Sequence, residues 1–299
     1  MVSGDHGRSR INDTRGQRVV AASARHRDPL PPPKGSHMTE QPAPDVTTKP
    51  NVARMYDYFL GGSHNFPADR AAADRVLEIF PETGVAAQTN RHFLRRAVRY
   101  AAEQGVRQFL DIGAGLPTQD AVHEVVRAVA PDARVVYVDY DEVAVTYARQ
   151  LLTDVPGTAV VQGDLRRPDE LLAHPDVRAT LDLDQPVAVL LLAVLHFVPD
   201  HDDPWAAIAE LRDATASGSH LVLSHLTLDG IPPELAERGQ AVYRNSSAPL
   251  VPRTHAETSR FFTGYDLLEP GLVATTRWRP DGEPETVDAH GYAGVGVRR

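Results

Sequence analysis

Cysteine is absent from this 299-residue chain. Its absence excludes disulfides, thiolate zinc sites, iron–sulfur clusters and thiol nucleophiles. Iron–sulfur radical chemistry and group transfer through a cysteine adduct go with them. Lysine is nearly absent as well, occurring only at Lys34 and Lys49. A Walker phosphate loop or a Schiff-base lysine beyond residue 49 is therefore ruled out. Arginine is abundant instead, which reads as GC-rich coding bias. Long apolar runs are missing too. The longest, Val187 to Val198, is well short of the roughly 18 to 20 residues a membrane helix needs, and it fits a buried strand running into its loop. The net charge of −9 argues against broad binding to a phosphate backbone. The expectation is a cytoplasmic protein with no nucleic-acid or membrane partner, compatible with a homodimer. At 42% hydrophobic residues, the chain has ample material for one sizeable α/β core with an appended subdomain.

Residues 1–50 differ from the rest. The first 37 carry seven Arg or Lys against three Asp, lack apolar periodicity and close on Pro31-Pro-Pro33. They read as a disordered extension, followed by a Pro- and Thr-rich linker. Met38 suits a start residue, although Gly35-Ser-His-Met38 also matches a cloning remnant. Patterned chain begins at Asn51. Val52, Met55, Phe59 and Leu60 share a helical face that ends at Gly61-Gly62. Further helices fit 68–79 and 86–103. These three make an expected helical cap over residues 51–106.

From Gln108 the period switches to strand–helix alternation, giving a domain at 107–299. Strands fit 108–112, 134–139, 159–162, 187–194 and 220–224. Helices fit 118–129, 142–152, 169–173 and 204–214. Right-handed crossovers then force a parallel sheet with helices on both faces. Thr254-His-Ala-Glu257 is a capping box before a short helix. Strands at 272–278 and 292–297, joined by the polar turn 279–285, would place one antiparallel strand in the sheet. The fold class is thus α/β, mostly parallel, with a helical cap.

The most specific stretch is Gln108-Phe-Leu-Asp-Ile-Gly-Ala-Gly-Leu-Pro117. An apolar strand ends in a carboxylate and opens into a Gly-x-Gly turn, which lets backbone approach a small ligand. A pyrophosphate would be repelled by Asp111, whereas a cationic ligand would be held. A third glycine would be needed at 118 for a dinucleotide site, and the residue is Thr118. Asp139 ends the second strand and Asp164 follows the third. Taken singly, such an acid is more often a helix cap or turn residue, and Asp141 reads as the cap of the helix at 142; three acids at successive strand ends beside the glycine turn point to a ligand.

The acid-x-Gly-x-Gly motif resembles that of the class I S-adenosylmethionine methyltransferases. The narrower pattern Asn51-Val-Ala-Arg-Met-Tyr-Asp-Tyr-Phe-Leu-Gly-Gly-Ser-His-Asn65, with Asn90-Arg-His-Phe93, Val136-Tyr-Val-Asp139 and Gly218-Ser-His-Leu-Val-Leu-Ser-His225, resembles an actinobacterial methyltransferase family known as DUF574. That resemblance runs from about residue 50 to the C-terminus. It implies a class I, Rossmann-like fold with S-adenosylmethionine as cofactor and a small-molecule acceptor methylated at oxygen or nitrogen. A non-catalytic S-adenosylmethionine sensor or scaffold is the alternative.

On this reading Asp111, Gly113 and Gly115 face the methionine part of the cofactor. Asp139, beside Tyr140, accepts from the ribose hydroxyls. Asp164 accepts from the adenine amine and Leu165 offers an apolar face. Arg91 neutralises the carboxylate or is simply a surface arginine. His196, in Ala193-Val-Leu-His196, is the catalytic candidate or a structural imidazole lining the pocket, with His225 behind it. Tyr56, Tyr58, Gly61, Gly62 and Asn65 form a substrate lid with a glycine hinge, or a plain helix stop. The histidines and scattered acids have no metal-ligand spacing. The Asn/Asp-Pro-Pro-Tyr signature of amino-methylating nucleic-acid and protein enzymes is missing after the fourth strand.

Overall fold

A computed structural model describes residues 47–282 and 290–299, which belong to one compact unit, 42–299. The readings made for residues 1–46 and for 283–285 of the 279–285 turn lie outside the described residues. Helices α1 (Val52–Phe59), α2 (Pro67–Ile79) and α3 (Thr83–Glu103) come first. They lead into β1 (Gln108–Ile112), α4 (Val122–Arg127), β2 (Arg134–Asp139), α5 (Glu142–Leu152) and β3 (Thr158–Gln162). Then follow α6 (Pro168–Ala173), α7 (Pro175–Thr180), β4 (Ala188–Leu192), α8 (Pro204–Ala214) and β5 (His220–Leu226). The C-terminal part holds α9 (Pro233–Tyr243), α10 (His255–Ser259), β6 (Tyr265–Leu267), β7 (Val273–Ala274) and β8 (Gly291–Arg298).

The strands form one sheet in the order β3-β2-β1-β4-β5-β8-β6, with β7 also paired to β8. β1 to β5 run parallel, and β8 runs antiparallel to β5 with Val222 opposite Val295. The central strands β1 and β4 are buried on both faces, as the unbroken Ala-Val-Leu-Leu-Leu run of β4 requires. The antiparallel strand expected near the C-terminus is present. The order reverses between β1 and β4, the switch point where an open sheet leaves a crevice at its strand ends.

Several elements differ from expectation. Helix α4 starts at Val122, not residue 118, because Gly115 N–H and its neighbours turn back to cover β2. β4 stops at Leu192. Ala193 adopts φ 54°, and its N–H donates to Ser224 Oγ at 2.9 Å, so the chain leaves the sheet into a short 3-10 turn carrying His196. The strand expected at 272–278 shrinks to two residues. Buried Arg96 of α3 donates to the carbonyls of Thr275 (2.8 Å) and Trp278 (2.9 Å), drawing that segment onto the helix. Helices α7 and α9 and strand β6 went unread.

The third helix is the main correction to the expected cap. Phe93, Leu94, Ala97, Val98 and Ala101 of α3 are buried in the cluster that contains Phe109, Val135, Leu190 and Trp278, so α3 is a layer on the sheet. The boundary expected between 51–106 and 107–299 therefore falls inside one unit. The cap proper is a separate small cluster of α1, α2 and α9, built on Met55, Ala72, Ala73, Val76 and Tyr243.

Candidate active site

One cavity lies at the carboxyl ends of β1, β2, β4 and β5, under α1 and the first half of α3. With its open mouth it encloses about 1310 Å³ of empty space. Asp111, Gly113, Gly115, Asp139, Tyr140, Arg91, Tyr56, His196 and His225 all line it. The cap side adds Phe59, Phe197, Tyr243 and Leu250, so the lining is largely apolar and aromatic apart from a few polar groups.

The parallel register puts Asp111 opposite Tyr137 and Leu190 and carries Asp139 just past Ile112. Both carboxylates are nearly sealed from solvent, at 5% and 7% exposure. Burial pushes Asp111 up to about 7; the neighbouring Asp139 charge adds to this and Arg91 partly offsets it. Burial pushes Asp139 up to about 6, against the amides that donate to it. Gly115 N–H reaches its Oδ2 at 2.8 Å and Asp141 N–H its Oδ1 at 2.9 Å. The Tyr140 amide bonds this carboxylate as well, which still leaves it acceptor capacity for a hydroxyl. Gly113 has φ 73°, and a Cβ there would lie 2.3 Å from Val194, so only glycine lets this turn close against the β4 loop.

Arg91 lies well inside α3, not at its start, because the helix begins at Thr83. Its Nε is buried with no hydrogen-bond partner. An orphaned guanidinium nitrogen near buried Asp111, in a cavity also lined by Asp139, is the set that an amphoteric amino-acid group would satisfy, its ammonium meeting an acid and its carboxylate the arginine.

The histidines divide. His225 Nδ1–H donates to the Leu226 carbonyl at 2.7 Å, and its Nε2 accepts from Arg253 Nη1 at 3.0 Å. Both nitrogens are spent, and burial holds its pKa down to about 4. His196 Nδ1 accepts from Leu226 N–H at 3.1 Å, which leaves the hydrogen on Nε2. Burial, with His225 and Arg253 adding to it, lowers its pKa well below the usual range. The neutral ring is a donor at Nε2 and has no lone pair there for a proton. His290, which the sequence reading missed, also lines the cavity, with Nε2 3.3 Å from Glu82 Oε1.

A second missed feature is a hydrogen-bonded row across the cavity wall. Ser224 Oγ donates to Asn90 Oδ1 at 2.6 Å, Asn90 Nδ2 to Tyr56 Oη at 2.9 Å, and Tyr56 to the Ala87 carbonyl at 3.1 Å. Burial raises the Tyr56 pKa, so its phenol stays protonated.

Six sequence-predicted residues lie outside the lining. The Asp164 carboxylate is gripped by Arg166 at 2.6 Å, and Leu165 is packed into the sheet core. Tyr58 donates to Asp74 at 2.9 Å on the exposed side of α1. Gly61 turns the chain, and Gly62, His64 and Asn65 close around Asp57. The Asp57 carboxylate accepts from His64 N–H (2.8 Å) and Asn65 Nδ2 (2.9 Å), and a Cβ on Gly62 would meet it at 2.1 Å. Gly62 makes room for the buried carboxylate, while Gly61, at φ 77°, turns the chain with open space beside it.

The sequence signature of the S-adenosyl methyltransferase family matches residues 38–299. The chain belongs to that family. A crystal structure of a proposed methyltransferase from Thermobifida fusca YX is 40% identical to this methyltransferase, with a TM-score of 0.80 over 86% of this chain and 98% of that one. A DUF574 family protein from Streptomyces avermitilis MA-4680 is 38% identical, with a TM-score of 0.80 over 85% of this chain and all (100%) of that one. No curated protein matches the chain. The methyltransferase uses S-adenosylmethionine, and the cavity's buried acids, orphaned arginine nitrogen and glycine turn fit that cofactor. Among the described residues, no group of His, Asp and Glu could hold a metal ion, and no helix is long and apolar enough to cross a membrane.

Proposed function

We propose that the methyltransferase methylates a hydroxyl or amine of a small, largely apolar molecule held under the cap. The observation carrying this reading is the split lining of one cavity. Asp111 and Asp139 stand at the β1 and β2 ends with Arg91 and Tyr56 on the helices above, and Phe59, Phe197, Tyr243 and Leu250 give the same cavity an apolar lining. Asp111, Asp139 and Arg91 hold the cofactor, with Tyr140 beside the ribose acid. Bound S-adenosylmethionine supplies a methyl group already activated on a sulfonium. The protein's part is then alignment and exclusion of water. Asp164 and Leu165 take no part in this proposal, because neither reaches the cavity.

His196 donates a hydrogen bond from Nε2 to the acceptor and does not remove its proton. Where the acceptor loses a proton, His290 paired with Glu82 takes it. The aromatic lining and the shortage of cations besides Arg91 favour an uncharged ring or chain over a phosphorylated substrate.

The test is incubation with methyl-labelled S-adenosylmethionine and a panel of small aromatic alcohols, phenols and amines, with products resolved by mass spectrometry. A labelled acceptor supports the reading. Retained cofactor binding with labelling confined to a polypeptide or nucleic acid would overturn it.

A further inference from the structure

Helix α1 does not merely sit near the cofactor end of the cavity; it is tied to it. Its N-cap, Asn51, is 3% exposed. Asn51 Oδ1 accepts from the amides of Ala53 (2.9 Å) and Arg54 (3.2 Å), the ordinary work of a cap. Its other side-chain atom does something a cap does not need. Nδ2 donates to Asp141 Oδ2 at 2.6 Å, across 90 residues of chain. Asp141 in turn donates its N–H to Asp139 Oδ1 at 2.9 Å and caps α5 through Ala144 N–H at 2.8 Å.

On the cap side, Asn51 N–H donates to Asp69 Oδ1 at 2.8 Å. Fully buried Asp69 also accepts from Arg54 Nε (2.7 Å) and Phe66 N–H (2.8 Å). An unbroken path therefore runs from the Asp139 carboxylate through Asp141 and Asn51 to the starts of cap helices α1 and α2. Helix α1 also covers the glycine turn, because a Cβ on Gly115 would lie 3.7 Å from that of Ala53. A ligand bound at Asp139 and the turn is roofed by α1 while this link holds.

We propose that Asn51 is a positioning residue that latches helix α1 over the cofactor strand ends through Asp141, so that it governs how long S-adenosylmethionine stays bound. The proposal rests on the reading of Asp139 as a cofactor contact. Serine is as good an N-cap as asparagine but too short to reach Asp141, so Asn51→Ser separates the latch from the cap. Asp141→Asn keeps an oxygen for Ala144 and removes the carboxylate that Asn51 grips.

S-adenosylmethionine affinity is measured by calorimetry and its dissociation rate by stopped flow, on full-length protein whose folding is checked by thermal melting. Asn51→Ser is expected to release the cofactor about tenfold faster, the scale of a lost hydrogen bond to a charged group, with little change in association rate. Tyr58→Phe removes a bond from the same helix off this path and leaves the dissociation rate unchanged. Wild-type dissociation in Asn51→Ser, alongside lost affinity in Asp139→Ala, overturns the latch and leaves the cofactor reading standing. Unchanged affinity in Asp139→Ala overturns the cofactor reading itself. Should Asn51→Ser not fold, Asp141→Asn decides the matter by the same two measurements.

Discussion

Asp111 is held in the ligand-free protein at a cost. Its carboxyl, ordinarily at 3.8, is pushed up to about 7, chiefly by burial. Between those values the folded state keeps a proton that the unfolded chain has shed, so this group's contribution to stability falls as pH rises from about 4 to about 7 and is flat above. Asp111→Asn removes that penalty and the charge a sulfonium needs. At pH 8 the variant is expected to melt higher without ligand, by about 1 to 3 kcal/mol of stability, and to bind S-adenosylmethionine more weakly. Paired thermal melts and calorimetry check both signs, and lower stability together with unchanged binding would refute the assignment. Asp139→Ala is expected to lose about 1.5 to 3 kcal/mol of cofactor affinity, the value of a hydrogen-bonded charge. The histidines give a further contrast. With Nδ1 of His196 occupied by Leu226 N–H, its replacement should not remove an ionisation from the pH–rate profile. Replacing His290 should slow turnover of acceptors that lose a proton. Turnover of such acceptors that falls without His196 and survives without His290 would reverse the two roles.

At the level of elements, strand–turn–helix alternation made β1 to β5 legible, because buried strands must be continuous apolar runs and their ends must carry the polar residues. Asp111, Asp139 and the glycine turn follow from that logic, and the structure brings them into one cavity. Asp164 obeys the same spacing yet is spent on Arg166 two residues later, a local partner that a strand-end rule cannot see. The expected strand at 272–278 failed for a tertiary reason, since Arg96 lies 179 residues from Thr275 and takes its carbonyl. Helix α9 went unread although Pro232-Pro233 and Glu234 mark its start, because only Gly239 and Tyr243 are buried along it and its apolar face is thin. Asn90, Ser224 and His290 are single polar residues whose meaning exists only in space. The Arg96 clasp is testable as an element-scale anchor. Arg96→Ala leaves two buried carbonyls without donors, a cost of about 2 to 4 kcal/mol. The measurement is denaturant unfolding, with the midpoint expected to fall and the slope to stay constant; a loss under 0.5 kcal/mol would mean water replaces the guanidinium at no cost.

At the scale of the whole molecule, the ligand-free and cofactor-bound proteins should answer pH in opposite ways. Without ligand, Asp111 near 7 and Asp139 near 6 hold protons in the folded state below those values, because burial of the two carboxyls penalises their ionised forms. A bound sulfonium and ammonium reverse that preference by favouring the ionised acids. Below about pH 6 the cofactor must displace protons before it can bind, and above about pH 7 it need not. Stabilisation by a saturating ligand follows its concentration relative to Kd, so the rise in Tm on adding S-adenosylmethionine should grow as pH climbs from 5 to 8 and level off near 7.5. The growth should be steepest between the two acid values and should be halved or more in Asp111→Asn. S-adenosylhomocysteine lacks the sulfonium charge and should show a shallower climb at the same saturation. Melting curves at half-unit pH steps with each ligand distinguish these cases. A shift that is the same at every pH, or equally steep for both ligands, would mean the buried acid pair does not meet the cation, and the charge argument for Asp111 would fall with it.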